Sequence, residues 1–247
     1  SSVVNALSAR LDVEVDRSPA TQAMSFQRGV PGVFADATPG SKFGPQSGLH
    51  KGGRVKKGVT GTRVRFWPDR QIFTKDAKFV YDDLVSRARQ TSFIVPGLEL
   101  VITDLRGPEA VIEAFKHDGG IAEFCEFLST DEAVTDILRL QGSQTFTETV
   151  PLLDEQGHMT PQDVERDLHV DVALRWGTGY DTEVRSFVNV IATPKGGTHV
   201  AGFEAGLTKT FNDTMKSARV LKANDQDVIK DDILEGLVAV VTVRLAE

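Results

Sequence analysis

Apolar and polar residues alternate strictly along "LDVEVDR" (11–17). A period of two puts Leu11, Val13 and Val15 on one face of an extended chain, which predicts a half-buried strand. "TQAMSFQRG" (21–29) sets Met24 and Phe26 on one side and reads as its hairpin partner. Ahead of them "VVNALSAR" groups Val3, Val4 and Leu7 at helical spacing. From Gly32 to Gly61 the apolar pattern lapses, glycine recurs, and Lys42, Lys51, Arg54, Lys56 and Lys57 are interspersed. This predicts a long, mobile, basic loop, either solvated or set against an anionic polymer. "GTRVRFWPD" (61–69) returns to strand, with Val64 and Phe66 inward and Pro68 ending it.

The second half is also mixed. "KFVYDDLVSRARQTSF" (78–93) repeats Val80, Leu84 and Ala88 at the helical step. "GLELVITDLRG" (97–107) and "EAVIEAFKH" read as strands, and the Gly107-Pro108 pair between them is taken as a domain boundary. "GGIAEFCEFLS" (119–129) is a helix, and residues 130–160 are weakly patterned. "LHVDVALRW" (168–176) gives the strongest strand signal, and after "GTGYDT" the segment "EVRSFVNVIAT" is expected to pair back on it. Val200, Phe203, Leu207, Phe211 and Met215 mark a long amphipathic helix. "DDILEGL" follows as a short helix with an aspartate cap, and "VAVVTVRL" closes as a strand. Two α/β units of modest size follow.

Composition narrows the function classes. Forty per cent of the 247 residues are hydrophobic, enough for a sizeable core. A net charge of −7 does not mark the whole chain as a nucleic-acid binder, though it permits a local basic surface. The single cysteine, Cys125, rules out an internal disulfide framework and fits a reducing cytosol; on its helix face it reads as a small buried hydrophobe. No apolar run approaches bilayer-spanning length. Opening on a helix without methionine and closing on a strand, the sequence is expected to be a piece of a longer chain.

Catalytic chemistry is not legible from spacing. His50, His117, His158, His169 and His199 match no metal-ligand pattern, and no nucleophile elbow or phosphate-binding P-loop occurs. "PKGGTH" (194–199) leads into the long helix. Its glycines suit an anion cradle at a helix N-terminus or a tight strand-to-helix corner. In the second reading Thr198 is the N-cap, and His199 locks the first turn by a side-chain hydrogen bond. Thr62 begins a strand beside a glycine, where its hydroxyl can both donate and accept.

"SVVNALS", "GTRVRFWPD…IF", "SFVNVIATPKGGTHVAGF" and "ILEGLVAVVTVRL" occur in this order. Together they closely resemble the B subunit of bacterial type IIA topoisomerases, gyrase and topoisomerase IV, across nearly the whole chain. The resemblance implies an α+β fold: residues 1–106 as the C-terminal half of a GHKL ATPase α/β sandwich, and residues 107–247 as a transducer domain with a left-handed βαβ unit. It implies ATP, Mg2+, DNA, a homodimer of B subunits and an A-type subunit as cofactors and partners, in a bacterial cytoplasm. Ser1, Ser2 and Thr62 match the edge of the nucleotide pocket, and Arg17 and Thr62 match positions that aminocoumarin inhibitors contact. The general base, the metal-binding asparagine, the lid and the transducer lysine of the family have no counterpart in this sequence, so no metal site and no ATPase activity are expected of it alone. The resemblance places "KGGTH" away from the nucleotide, as a corner. Arg185, Lys195 and Lys209 are candidate linings of a DNA-passing cavity; Glu204 stands where some relatives are basic.

Overall fold

The computed structural model describes residues 2–46, 49–154, 156–222 and 224–245. The chain divides into two compact units, Ser1–Phe79 and Val80–Glu247.

The first unit runs α1 (Ser2–Ala6), β1 (Ser8–Arg17), β2 (Ala20–Gln27), β3 (Val30–Phe34), β4 (Phe43–Pro45), β5 (His50–Arg54) and β6 (Thr60–Pro68). They form one sheet in the order β4-β3-β2-β1-β6, with β5 also paired to β2. Two expectations change here. The opening helix stops at Ala6, and "SAR" belongs to β1. The stretch expected to be a mobile loop carries three strands. One buried guanidinium helps to explain both. Arg10 is 7% exposed, pairs with Asp12 at 2.9 Å, and donates to the carbonyls of Asp36 (2.7 Å) and Thr38 (2.9 Å). It also lies 4.2 Å from the Phe34 ring centroid. A charge this buried must have its donors satisfied, so it holds the 36–38 backbone against β1.

The second unit runs α2 (Tyr81–Ile94), β7 (Leu100–Asp104), β8 (Val111–Phe115), α3 (Gly120–Leu128), β9 (Leu138–Leu153), β10 (Met159–Trp176), β11 (Glu183–Val188), β12 (Ile191–Ala192), α4 (Thr198–Ser217), α5 (Lys230–Leu234) and β13 (Leu237–Leu245). Its main sheet has the order β12-β11-β13-β10-β9. β10 and β11 are therefore not a hairpin. β13 lies between them, antiparallel to β10 and parallel to β11, so that β11–α4–α5–β13 is a βαβ crossover between neighbours. The weakly patterned 130–160 region supplies β9 and the start of β10, paired without a break from Leu174↔Leu138 to Met159↔Leu153.

Helices cover both faces of this sheet. Phe93 of α2 and Ile121, Phe124 and Cys125 of α3 pack on Ala173, Phe187 and Val240. On the other face Phe203 and Leu207 of α4 and Leu234 of α5 meet Val172, Leu174, Leu237, Ala239 and Val241. A central strand covered on both faces explains the unbroken apolar run "LVAVV". The border expected at Gly107 falls in the turn between β7 and β8, which pair from Leu100↔Phe115 to Asp104↔Val111. That turn is tied by Arg106, whose hydrogen bonds hold the Asp104 carboxyl down to about 2.

Cys125 is fully buried, and desolvation pushes its thiol up to about 11. The folded thiol keeps its proton where an unfolded one releases it. Its contribution to stability is thus intact below the ordinary thiol pKa and declines as pH climbs from about 9 to about 11. We expect no reaction with a disulfide reagent at pH 8 until denaturant is added, read by absorbance; prompt native-state labelling would contradict the packing.

Candidate functional site

The register of β1, β2 and β6 sorts the first sheet into two unlike faces. Directly opposed residues of antiparallel strands share a face. Leu11, Val13, Val15 and Arg17 of β1 oppose Phe66, Val64, Thr62 and Thr60 of β6. The same four oppose Phe26, Met24, Gln22 and Ala20 of β2. This face bears no carboxylate on these three strands and is apolar except at the Arg17 end.

The reverse face is polar and self-satisfied. Ser25 donates to Asp12 at 2.8 Å, Thr21 donates to Asp16 at 2.6 Å, and Arg63 pairs with Glu14.

Val64 and Phe66, expected inward, are 54% and 40% exposed, and Val15 is 36% exposed. Phe79 meets Phe66 edge-on at 5.9 Å. The apolar face is thus a shelf rather than a closed core. Thr62 lies opposite Val15, diagonal to Arg17 and about 7–8 Å from it across the strands. Both are exposed. A hydroxyl and a guanidinium on a greasy shelf can orient a flat, partly polar ligand: the hydroxyl donates and accepts, while the cation faces an acceptor at the rim.

Ser2 opens α1 at the Ser8 end of β1. A ten-residue strand spans roughly 30 Å, so Ser2 does not join Thr62 and Arg17 in one cluster. Ser1 lies outside the described residues.

In the second unit "KGGTH" is a corner. Gly196 has φ 70°, a left-handed turn that glycine accepts without strain. α4 begins at Thr198 with Gly197 as its N-cap, so Thr198 is not the cap. The expected lock by His199 is present: its Nε2 lies 3.2 Å from Thr193 Oγ1, which lies 2.7 Å from Ser186 Oγ. This relay fastens the first turn of α4 to β11. α5 likewise has Ile229 as its N-cap, not an aspartate.

The cavity candidates do not share one surface. Arg185 sits on the β11 face that carries Phe187 toward α3, whereas Lys209 is on α4, across the sheet. Arg185 pairs with Glu183 at 2.7 Å, and Lys209 pairs with Asp213. Lys195 is exposed just before α4 and makes no ion pair among the described residues. The role of Arg10 was missed from sequence, since nothing in its spacing signals carbonyl partners 26 and 28 residues along the chain; of the His199 lock, only the identity of its partners, Thr193 and Ser186, was not foreseen.

Among the described residues, no group of three or more His, Cys, Asp or Glu is placed to hold a metal.

Residues 120–247, just over half the chain, match the family model described as DNA gyrase B. The chain belongs to the DNA gyrase B family. It is 34% identical over 249 residues to the DNA gyrase B protein of Halalkalibacterium halodurans, covering 100% of this chain and 33% of that protein. It is likewise 34% identical over 247 residues to the DNA topoisomerase 4 B protein of Staphylococcus aureus, covering 100% of this chain and 32% of that one. The chain thus spans about a third of the length of these relatives. Among solved structures, the 43K ATPase domain of Thermus thermophilus gyrase B, in complex with an aminocoumarin, superposes with a TM-score of 0.70 at 29% identity. That match covers 100% of this chain and 57% of that one. The family's mixed α/β fold is the one described above.

Proposed function

We propose that this chain is the ATPase-to-transducer portion of a type IIA topoisomerase of the gyrase B kind. In the intact protein, ATP binding would close a dimer gate on a DNA segment and hydrolysis would reset it. The reading rests above all on the match to a gyrase B ATPase domain across the whole of this chain. Its join is read at Gly107, where the Gly107-Pro108 pair breaks the sequence pattern, with residues 1–106 as the ATPase portion and 107–247 as the transducer. Thr62 and Ser2, with Ser1, would border the nucleotide, and Arg17 and Thr62 would contact an aminocoumarin. Lys195 is the best placed of the three DNA-facing candidates, because Arg185 and Lys209 are already paired. A second copy, an A-type subunit, ATP and Mg2+ complete the assembly in a bacterial cytoplasm. The residues present make only a rim of the nucleotide site, so the 247-residue chain turns over no ATP.

Thermal unfolding tests this, since a ligand of the native state raises its stability. An aminocoumarin in excess should raise the melting temperature of the first unit by a few degrees. Arg17→Gln and Thr62→Ala, both at exposed positions, should abolish the rise without lowering the ligand-free melting temperature. An unchanged midpoint at saturating inhibitor would leave the chain as a coupling module with no ligand of its own.

A further inference from the structure

The overall charge of −7 conceals an opposition between the two units. Ser1–Phe79 contains thirteen Lys and Arg against six Asp and Glu, a net charge of +7. Val80–Glu247 contains fifteen against twenty-nine, a net charge of −14. Within the first unit the excess is concentrated: residues 37–68 hold seven Lys and Arg and no carboxylate.

The structure shows which of these charges are committed. Arg10, Arg28 and Arg63 pair with Asp12, Asp69 and Glu14. Lys42, Lys51, Arg54, Lys56 and Lys57 are all exposed, and none makes an ion pair or a side-chain hydrogen bond among the described residues. Lys51 and Arg54 lie on β5, and Lys56 and Lys57 in the turn that follows, where Val59 donates to the Lys56 carbonyl at 3.2 Å. Among the described residues β5 pairs with β2 alone, which leaves its other edge without a strand partner there. Gly53 sits between the cations. A Cβ added there would meet nothing within 4 Å, and its φ is not left-handed. Neither packing nor backbone conformation asks for glycine at 53, which leaves the strand open to close approach by a partner.

We propose that β5 and the turn after it form a phosphate-backbone contact for duplex DNA, separate from the transducer. Uncommitted lysines and arginines on an open edge, without a helix or ribbon to read a groove, suit sequence-independent binding by release of condensed counterions. The second unit, at a net charge of −14, is a poor surface for the same polyanion, so the contact is assigned to the first unit. The charge geometry stands by itself; duplex DNA as the polyanion rests on the family reading.

The test is fluorescence anisotropy of the 247-residue chain with a labelled 30-base-pair duplex at graded salt. A variant carrying Lys51→Gln, Arg54→Gln, Lys56→Gln and Lys57→Gln should lose more than about tenfold in affinity at 100 mM salt. The slope of log affinity against log salt should flatten by about 0.9 for each contact removed. Single reversals, Lys51→Glu and Lys57→Glu, should weaken binding in part and keep the wild-type melting temperature, which separates lost contact from lost fold. Arg185→Gln with Lys209→Gln should change little. The proposal is overturned by an unaltered slope in the quadruple variant, by no binding of the wild type at 50 mM salt, or by equal competition from polyglutamate, which carries charge but no phosphate backbone. An aminocoumarin shift that persists alongside a failed DNA result would sink this contact alone; loss of both would sink the family-based function as well.

Discussion

Replacing Gly236 with alanine is expected to unfold much of the second unit, by at least about 3 kcal/mol. Gly236 joins α5 to β13 at φ 70°. An added Cβ would lie 2.6 Å from the Gly179 carbonyl oxygen and 2.7 Å from that of Gly177. Both are backbone atoms and cannot swing aside as a side chain would. Gly177 moreover donates to the Gly236 carbonyl at 2.9 Å, so separating the two segments breaks a bond as well. Left-handed strain alone costs of order 1–3 kcal/mol, and the contact adds to it. Gly202 supplies the control. It lies inside α4, and a Cβ there meets nothing. Gly202→Ala should stabilise by roughly 0.5–1 kcal/mol, the usual gain at an exposed helix interior. Urea unfolding followed by Trp176 fluorescence, in a Trp67→Phe background, reads the second unit specifically. Equal midpoints for Gly236→Ala and wild type would show that the β13 entry is not where the structure puts it.

What the sequence disclosed, and what it hid, follows from the range of each interaction. β13 is readable because burial on both faces forces an apolar run, and α4 because Phe203 and Leu207 recur on the face it buries. β9 is not, because "LRLQGSQTFTETV" is held by cross-strand pairs rather than by burial: Thr145 donates to Asp167 and Thr149 to Asp163. Strand preference of that kind belongs to the pair, not the segment. The insertion of β13 between β10 and β11 is equally silent, since a strand some fifty residues downstream displaces a plausible local hairpin. The shelf was half legible. Alternation gave its apolar residues, but its openness is a property of what does not cover it. Thr62 and Arg17 acquired meaning only through family resemblance, because an exposed threonine and arginine on neighbouring strands have no pattern of their own.

Phe124→Ala should cost about 3–5 kcal/mol, the range for emptying a fully buried aromatic site. Phe124 is 2% exposed and stacks on Phe93 with ring centroids 4.8 Å apart and planes 7° from parallel. On the sheet side it meets Phe187 of β11, with ring centroids 6.2 Å apart. One ring from α3 thus ties the end of α2 to the main sheet, and the tie is hydrophobic throughout. The remainder of α2 has an attachment of its own, with Val85 and Ala88 packed against Phe115 of β8. Loss of the Phe124 ring should therefore loosen the link rather than melt the helix. Amides near the C-terminal end of α2 should lose hydrogen-exchange protection by more than tenfold, while those around Val85 lose less. Phe127, one turn along α3 and 54% exposed, gives the contrast. Its ring is tilted to Phe93 at 5.4 Å, and Phe127→Ala should cost under about 1 kcal/mol because little area leaves water there. Similar losses for the two alanines would mean that α3 is not seated by its inner face. The helix that opens the family-matched region would then be joined to α2 by something other than this aromatic stack.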